Sequence, residues 1–199
     1  LIGRSAAGTN ALHNGQNGIS ISGGLSNLVG GGVAGARNVI SGNAYNGIGI
    51  LLLTDTNNTV MGNYIGTDVT GNKAVPNTLA GVRIQARSNA IGGTAAGSGN
   101  VISGNSQQGV WLVGTNGNVT GNVIQGNIIG LNVSGANNLG NGDAGVGLTS
   151  AANNQVGGST AGARNILSAN GAEGIFLISA GTSNNVVQGN FIDTDVTGK

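Results

Sequence analysis

Asn38-Val-Ile-Ser-Gly-Asn43 returns as Asn100-Val-Ile-Ser-Gly-Asn105 and, after a nearly equal interval, in weakened form as Asn165-Ile-Leu-Ser-Ala-Asn170. A second segment keeps step with it. Gly62-Asn-Tyr-Ile-Gly-Thr-Asp-Val-Thr-Gly71 recurs as Gly126-Asn-Ile-Ile-Gly-Leu-Asn-Val-Ser-Gly135 and again as Gly189-Asn-Phe-Ile-Asp-Thr-Asp-Val-Thr-Gly198. Even the first residues join, since Ile2-Gly3 through Gly18 aligns without a gap on Ile65-Gly66 through Gly81. The chain is therefore about three copies of a unit of roughly 63 residues, the self-similarity of a stacked repeat architecture.

Each unit halves. Asn-x-(Val/Ile) begins at Asn27, Asn58, Asn89, Asn122, Asn154 and Asn185, with spacings of 31, 31, 33, 32 and 31. Gly-(Ile/Val)-x-(Ile/Leu) begins at Gly18, Gly47, Gly81, Gly109, Gly145 and Gly174, and Asn-x-(Ile/Leu) at Asn38, Asn63, Asn100, Asn127, Asn165 and Asn190. These segments alternate with a period of two and are too short for stable helices. Gly, Asn, Ser and Thr, the residues of turns, lie between them. Three strands and three turns in about 31 residues describe one coil of a parallel β-helix, whereas a propeller blade needs four strands in about 40 or more. The expected fold is all-β: a right-handed parallel β-helix of about six coils, three short strands per coil, forming a single domain over residues 1–199.

The inward positions follow from the alternation. They are Ile19/Ile21, Ile48/Ile50, Val82/Ile84, Val110/Leu112, Val146/Leu148 and Ile175/Leu177 in the first strand. In the second they are Val29, Val60, Ile91, Ile124, Val156 and Val187, and in the third Ile40, Ile65, Ile102, Ile129, Leu167 and Ile192. All are aliphatic, and coils stacked at about 4.8 Å place like on like in a continuous column. The Asn that opens the second and third strands lies two residues before an inward aliphatic, so it also points inward. A buried amide must be satisfied, and stacked Asn side chains can form ladders.

The composition agrees. Of 199 residues, 41 are Gly and 30 are Asn, only 13 are charged, and there is no Cys. Collagen is excluded, having Gly at every third position and abundant Pro. A net charge of +1 with 38% hydrophobic residues argues against charge-driven disorder. No apolar stretch reaches the length of a membrane span, the basic charge is too sparse for a nucleic-acid footprint, and no disulfide or Cys-ligated metal can form.

Arg37-Asn-Val-Ile-Ser-Gly-Asn43, Gly62-Asn-Tyr-Ile-Gly-Thr-Asp68 and Asn89-Ala-Ile-Gly-Gly93 resemble the right-handed parallel β-helix proteins of the pectate-lyase-like superfamily. More narrowly, they resemble bacterial secreted or surface proteins with tandem parallel-β-helix repeats. The resemblance implies an extracellular or cell-surface location. It leaves function open, because the superfamily hosts lyases, hydrolases, epimerases, tailspikes and adhesins. The expected function is a structural or adhesive repeat module that binds polysaccharide along one sheet face. The alternative is a polysaccharide lyase or glycoside hydrolase.

Both functions have candidate residues. Outward positions of the first strand are Ser20, Gly49, Arg83, Trp111, Gly147 and Phe176. Arg83, Trp111 and Phe176 would stack on sugar rings and bind their acidic groups; the competing expectation is that both rings pack on Leu51, Val113 and Ile178. For catalysis, Arg83, Arg87 and Lys73 offer a base and Asp68 an acid, as the resemblance to pectate lyases suggests. A single carboxylate makes a poor calcium site, so no cofactor or metal is expected. Asp193 and Asp195 are close in sequence, but their counterparts are Gly66/Asp68 and Gly130/Asn132. His13 aligns with Pro76, a turn site.

Alternate coils carry long loops between the third and first strands, over residues 2–17, 66–80 and 130–144. Outward third-strand positions Val39, Tyr64, Val101, Ile128, Ile166 and Phe191 form an apolar stripe that these loops are expected to cover, the alternative being a partner surface. The chain begins and ends at equivalent repeat positions, which suggests a fragment of a longer array and self-association end to end or side by side.

Overall fold

The structure, a computed structural model, describes residues 1–5 and 12–199; part of the loop over residues 2–17 therefore lies outside the described residues. The chain is a parallel β-solenoid. Its first sheet stacks Ile19–Ile21, Ile48–Ile50, Val82–Ile84, Val110–Val113, Val146–Thr149 and Ile175–Ile178. The second stacks Leu28–Gly30, Thr59–Met61, Ala90–Gly92, Val123–Gln125, Gln155–Gly157 and Val186–Gln188. The third stacks Val39–Ile40, Tyr64–Ile65, Val101–Ile102, Ile128–Ile129, Ile166–Leu167 and Phe191–Ile192. All pairings between these strands are parallel, and their register joins equivalent repeat positions, as in Ile48 opposite Val82 and Val60 opposite Ile91. Six strands per sheet make about five turns from first rung to last, one fewer than the six coils the repeat count suggests.

Two further features depart from three strands per coil. Val119–Thr120 and Ala151–Ala152 pair as an extra two-stranded sheet at the corner between the first and second sheets. The longer corner of the fourth rung turns Val119 inward, where it is 1% exposed. Short 3-10 turns at Ala34–Ala36 and Ala161–Ala163 occupy two of the connections from second to third sheet. Among the described residues no helix is long and apolar enough to cross a membrane.

The predicted inward aliphatics are the core. In the middle rungs Ile48, Ile50, Val82, Ile84, Val110, Leu112, Val146 and Leu148 are fully buried, as are Val60, Ile91, Ile124 and Val156, and Ile65, Ile102, Ile129 and Leu167. At the last rung the equivalent Leu177, Val187 and Ile192 are exposed. Side chains this size contribute about 1.5–3 kcal/mol each on burial, and the last rung, stacked on one side only, leaves its equivalents exposed.

Asparagine closes the corners. The backbone N–H and side-chain Nδ2 of Asn63 both donate to Oδ1 of Asn100, at 2.9 and 3.1 Å. Asn100 does the same to Asn127 at 3.1 and 2.9 Å, and Asn127 to Asn165 at 3.0 and 3.0 Å. The other Nδ2 hydrogen goes to a strand carbonyl of the preceding coil: Asn100 to Val60, Asn127 to Ile91, and Asn165 to Ile124, at 2.9, 2.9 and 2.8 Å. Each buried amide is thus saturated as donor and acceptor. A matching ladder runs Asn27, Asn58, Asn89, Asn122, Asn154, Asn185.

A third ladder lies beyond the two that the strand-opening asparagines predict. It runs Asn14, Asn43, Asn77, Asn105, Asn141, Asn170 at the corner before the first sheet. Glycine is required beside the ladder amides. At Gly92, φ is +86° and a Cβ would lie 1.9 Å from the Gln125 carbonyl oxygen; at Gly130, φ is +91° and a Cβ would lie 2.0 Å from the Ser168 oxygen.

The outward stripe is buried over its first half only, and Ile128, Ile166 and Phe191 remain half-exposed. Val39, Tyr64 and Val101 are buried in a cluster with Ile128 and Val133. The loops also stack on one another across a two-coil step: the Val133 N–H donates to the Gly71 carbonyl at 2.9 Å, and Asn132 Nδ2 to Asn72 Oδ1 at 2.8 Å. The Val196 N–H continues to the Gly135 carbonyl at 3.3 Å.

Removing one ladder rung leaves several buried polar groups unpaired, each costing about 1–3 kcal/mol. Asn127→Ala is expected to destabilise the protein by about 3 kcal/mol or more, against about 0.5 kcal/mol or less for the exposed Asn137→Ala. Urea unfolding of the two variants checks this. Equal midpoints would show that the ladder contributes nothing beyond chain composition.

Candidate functional site

The first sheet presents three chemically distinctive side chains on its outer face. Strand alternation puts Arg83, Trp111 and Phe176 there, on the third, fourth and sixth rungs, with Gly147 on the fifth. The Arg83 guanidinium carbon lies 5.4 Å from the centre of the Trp111 ring. Trp111 is held from the other side, its Nε1–H donating to Thr149 Oγ1 at 3.1 Å. Phe176 lies across Gly147, so that a Cβ on that glycine would come within 2.3 Å of the ring. Glycine at 147 lets the ring lie flat against the sheet. The three residues expected to form a binding face are therefore brought onto one flat surface, all half-buried.

Among the described residues Arg83 has no counter-ion. Its Nε is buried without a hydrogen-bond partner, and its guanidinium faces the Trp111 ring. Burial pushes its pKa down from the ordinary arginine value. A half-buried cation with unused donors is costly to keep.

The proposed catalytic set does not assemble in this way. Asp68 and Lys73 share one turn of the loop over residues 66–80, where both Asp68 oxygens accept from Thr70 Oγ1, and Oδ1 also from the backbone N–H groups of Asn72 and Lys73. Burial alone would raise the Asp68 carboxyl, but these hydrogen bonds outweigh it and hold the pKa below the ordinary carboxylate range. The same turn recurs with Asn132, which accepts from Ser134 Oγ and the N–H groups of Ala136 and Asn137. It recurs again with Asp195, which accepts from Thr197 and Lys199. A position that works equally well as Asp or Asn is a turn cap. Arg87 is exposed after the first sheet's third strand, its Nε donating to the Asn118 carbonyl at 2.9 Å. It forms no ion pair with Asp68.

Other acids are also engaged. Asp55 is fully buried and accepts from the N–H groups of Gly23, Gly24, Leu51 and Leu52. Asp143 accepts from Gln108 Nε2 and from the Ala144 N–H. Asp193 and Asp195 lie near one another, with Lys199, around a shallow cavity of about 290 Å³. His13 is exposed. Among the described residues no group of three or more His, Cys, Asp or Glu could hold a metal ion.

Two stacked pairs on the third sheet escaped sequence reasoning. Arg37 lies 4.2 Å over Tyr64 and Arg164 lies 3.9 Å over Phe191, each with Nε donating to a carbonyl, of Gly62 and Gly189 respectively. Arg37 precedes Tyr64 by the same interval as Arg164 precedes Phe191, and that constant offset was the available signal. These arginines are satisfied where Arg83 is not. Comparison with protein-family models, with curated proteins and with solved structures gives no match to this chain.

The Asp68 turn carries a pH dependence whose sign is fixed by the depressed pKa. Its contribution is present above the unfolded aspartate pKa, about 3.9, and is lost as pH falls through the lower folded value. Amide shifts of Asn72 and Lys73, followed by NMR from pH 5 to 2, are expected to titrate with a midpoint below about 3.9. Asp68→Asn is expected to abolish that step while keeping the turn, as Asn132 does naturally. A wild-type midpoint above that value would show the hydrogen bonds to be ineffective.

Proposed function

We propose that this protein is a structural or adhesive repeat module of a bacterial extracellular or cell-surface protein, and that it binds polysaccharide along the outer face of its first sheet. The observation that carries the reading is the flat row of Arg83, Trp111 and Phe176, with Trp111 oriented by Thr149 and Phe176 laid over Gly147. Aromatic faces at this depth suit sugar rings, whose C–H faces pack on π-systems while their hydroxyls remain wet. The rigid stacked scaffold beneath supplies preorganisation, which reduces the entropy lost on binding. The resemblance of the repeat segments to tandem β-helix surface proteins supports the location.

The alternative, a polysaccharide lyase or glycoside hydrolase, calls for acid and base groups converging at one coil. Glycoside hydrolysis needs two carboxyl groups about 5–10 Å apart across an open site. Asp68 is engaged within its own turn, and Arg83 and Arg87 project from a different part of the coil, so no observation favours catalysis by that set.

Retention on a panel of immobilised polysaccharides tests the proposal. At least one polymer is expected to retain the protein, and Trp111→Ala is expected to weaken that binding about tenfold or more, with the fold intact by circular dichroism. Loss of retention on every polymer tested, or release of reducing ends or unsaturated products abolished by Arg83→Ala, would overturn it.

A further inference from the structure

The connection from the first sheet to the second varies in length from rung to rung. Between Ile50 and Asn58 it runs over residues 51–57, between Ile84 and Asn89 only over 85–88, and between Leu112 and Asn122 over 113–121. A short corner on the third rung thus lies between two long ones, and the result is a notch of about 470 Å³. Leu51 and Leu53 form one wall, Val113 and Asn118 the other, and Gln85 the floor.

Both walls are pinned. Asp55 accepts from the Leu51 and Leu52 N–H groups at 3.1 and 2.8 Å, which holds the first wall. On the other, Asn118 Oδ1 accepts from the Thr115 N–H at 2.8 Å, and the Asn118 carbonyl is tied to Arg87. Leu52 and Leu53 nevertheless remain 47% and 36% exposed. The notch is built from fixed backbone and presents apolar side chains to water.

The notch is continuous with the platform. Gln85 follows Arg83 by two positions on the same strand face, as Val113 follows Trp111 and Leu51 follows Gly49. That spacing is about 7 Å, the reach from a sugar ring to a substituent on it. Arg83 contributes an unpaired guanidinium fork suited to an anion, and the notch contributes an open recess beside it in which leucine and valine side chains face the solvent.

Resting on the polysaccharide reading, we propose that the ligand is an anionic saccharide bearing an apolar O-acyl group: Arg83 takes the anionic group, Trp111 the ring, and the notch of Leu51, Leu53 and Val113 the acyl substituent. Charge complementarity selects the anion, because Arg83 is a half-buried cation on this face with no counter-ion among the described residues. Leu51, Leu53 and Val113 offer an acyl group apolar contact that a further hydroxyl could not use.

Titration calorimetry with O-acetylated alginate, the same alginate after alkaline de-esterification, and its carboxyl-reduced form tests the assignment. The acetylated polymer is expected to bind about tenfold tighter than the de-esterified one, and the carboxyl-reduced form more weakly than either. Leu53→Ser is expected to bring the first ratio close to one, and Arg83→Gln to remove the advantage of the charged polymers. Equal affinity for acetylated and de-esterified alginate refutes the notch assignment while leaving the polysaccharide reading intact. Equal or tighter binding of the carboxyl-reduced form refutes the role of Arg83. Failure of all three forms to bind, together with failure of every polymer in the retention panel, defeats the polysaccharide reading itself.

Discussion

The side-chain amide of asparagine is the right length to span one rung while donating and accepting at once, and the rest of the molecule depends on that. At most ladder positions an Oδ1 receives two hydrogen bonds from the preceding rung, and the Nδ2 group gives one to the next rung and one to a strand carbonyl. Aspartate in the same places would stack like charges about 4.8 Å apart away from water, and lacks the donor. Serine is too short to reach. Glutamine adds a rotatable bond to fix. A chain with three such ladders needs many asparagines, needs glycine where a Cβ would strike the neighbouring carbonyl, and has little room for charge in its coils.

Those constraints explain where chemistry can reside. Inward positions are taken by aliphatics and amides, so distinctive side chains are confined to outward strand positions and to loops. The loops are partly committed as well. Their Asp68, Asn132 and Asp195 turns stack on a two-coil step, and part of the third sheet's outer face is buried. The first sheet's outer face stays open, and it carries both the unpaired guanidinium and the sole tryptophan.

Much of this was legible in the sequence, because a stacked coil repeats its requirements at fixed intervals. The strands of the three main sheets, their register and their inward aliphatics follow from the motif positions, as Ile48 against Val82 illustrates. The third ladder was equally available: Asn14, Asn43, Asn77, Asn105, Asn141 and Asn170 each stand the same short distance before a strand-opening glycine. It was hidden because the loops before it differ in length. The role of Asp68 was also visible in principle, since its counterpart is Asn132. What the sequence did not show depends on corner length and ring placement. Examples are the extra strand at Val119, the notch beside Gln85, and the lie of Phe176 across Gly147.

The central claim is that the amide ladders, along with the aliphatic column, hold each rung to the next. Residue-resolved hydrogen exchange at the backbone N–H of Asn63, Asn100 and Asn127 tests it most directly, because these groups donate to side-chain oxygens and to no backbone carbonyl. The account predicts exchange as slow as that of core strand amides such as Ile102, through global unfolding alone. Exchange as fast as that of the exposed corner residue Asn116 would show that the ladders open freely and that the aliphatic column alone sustains the fold.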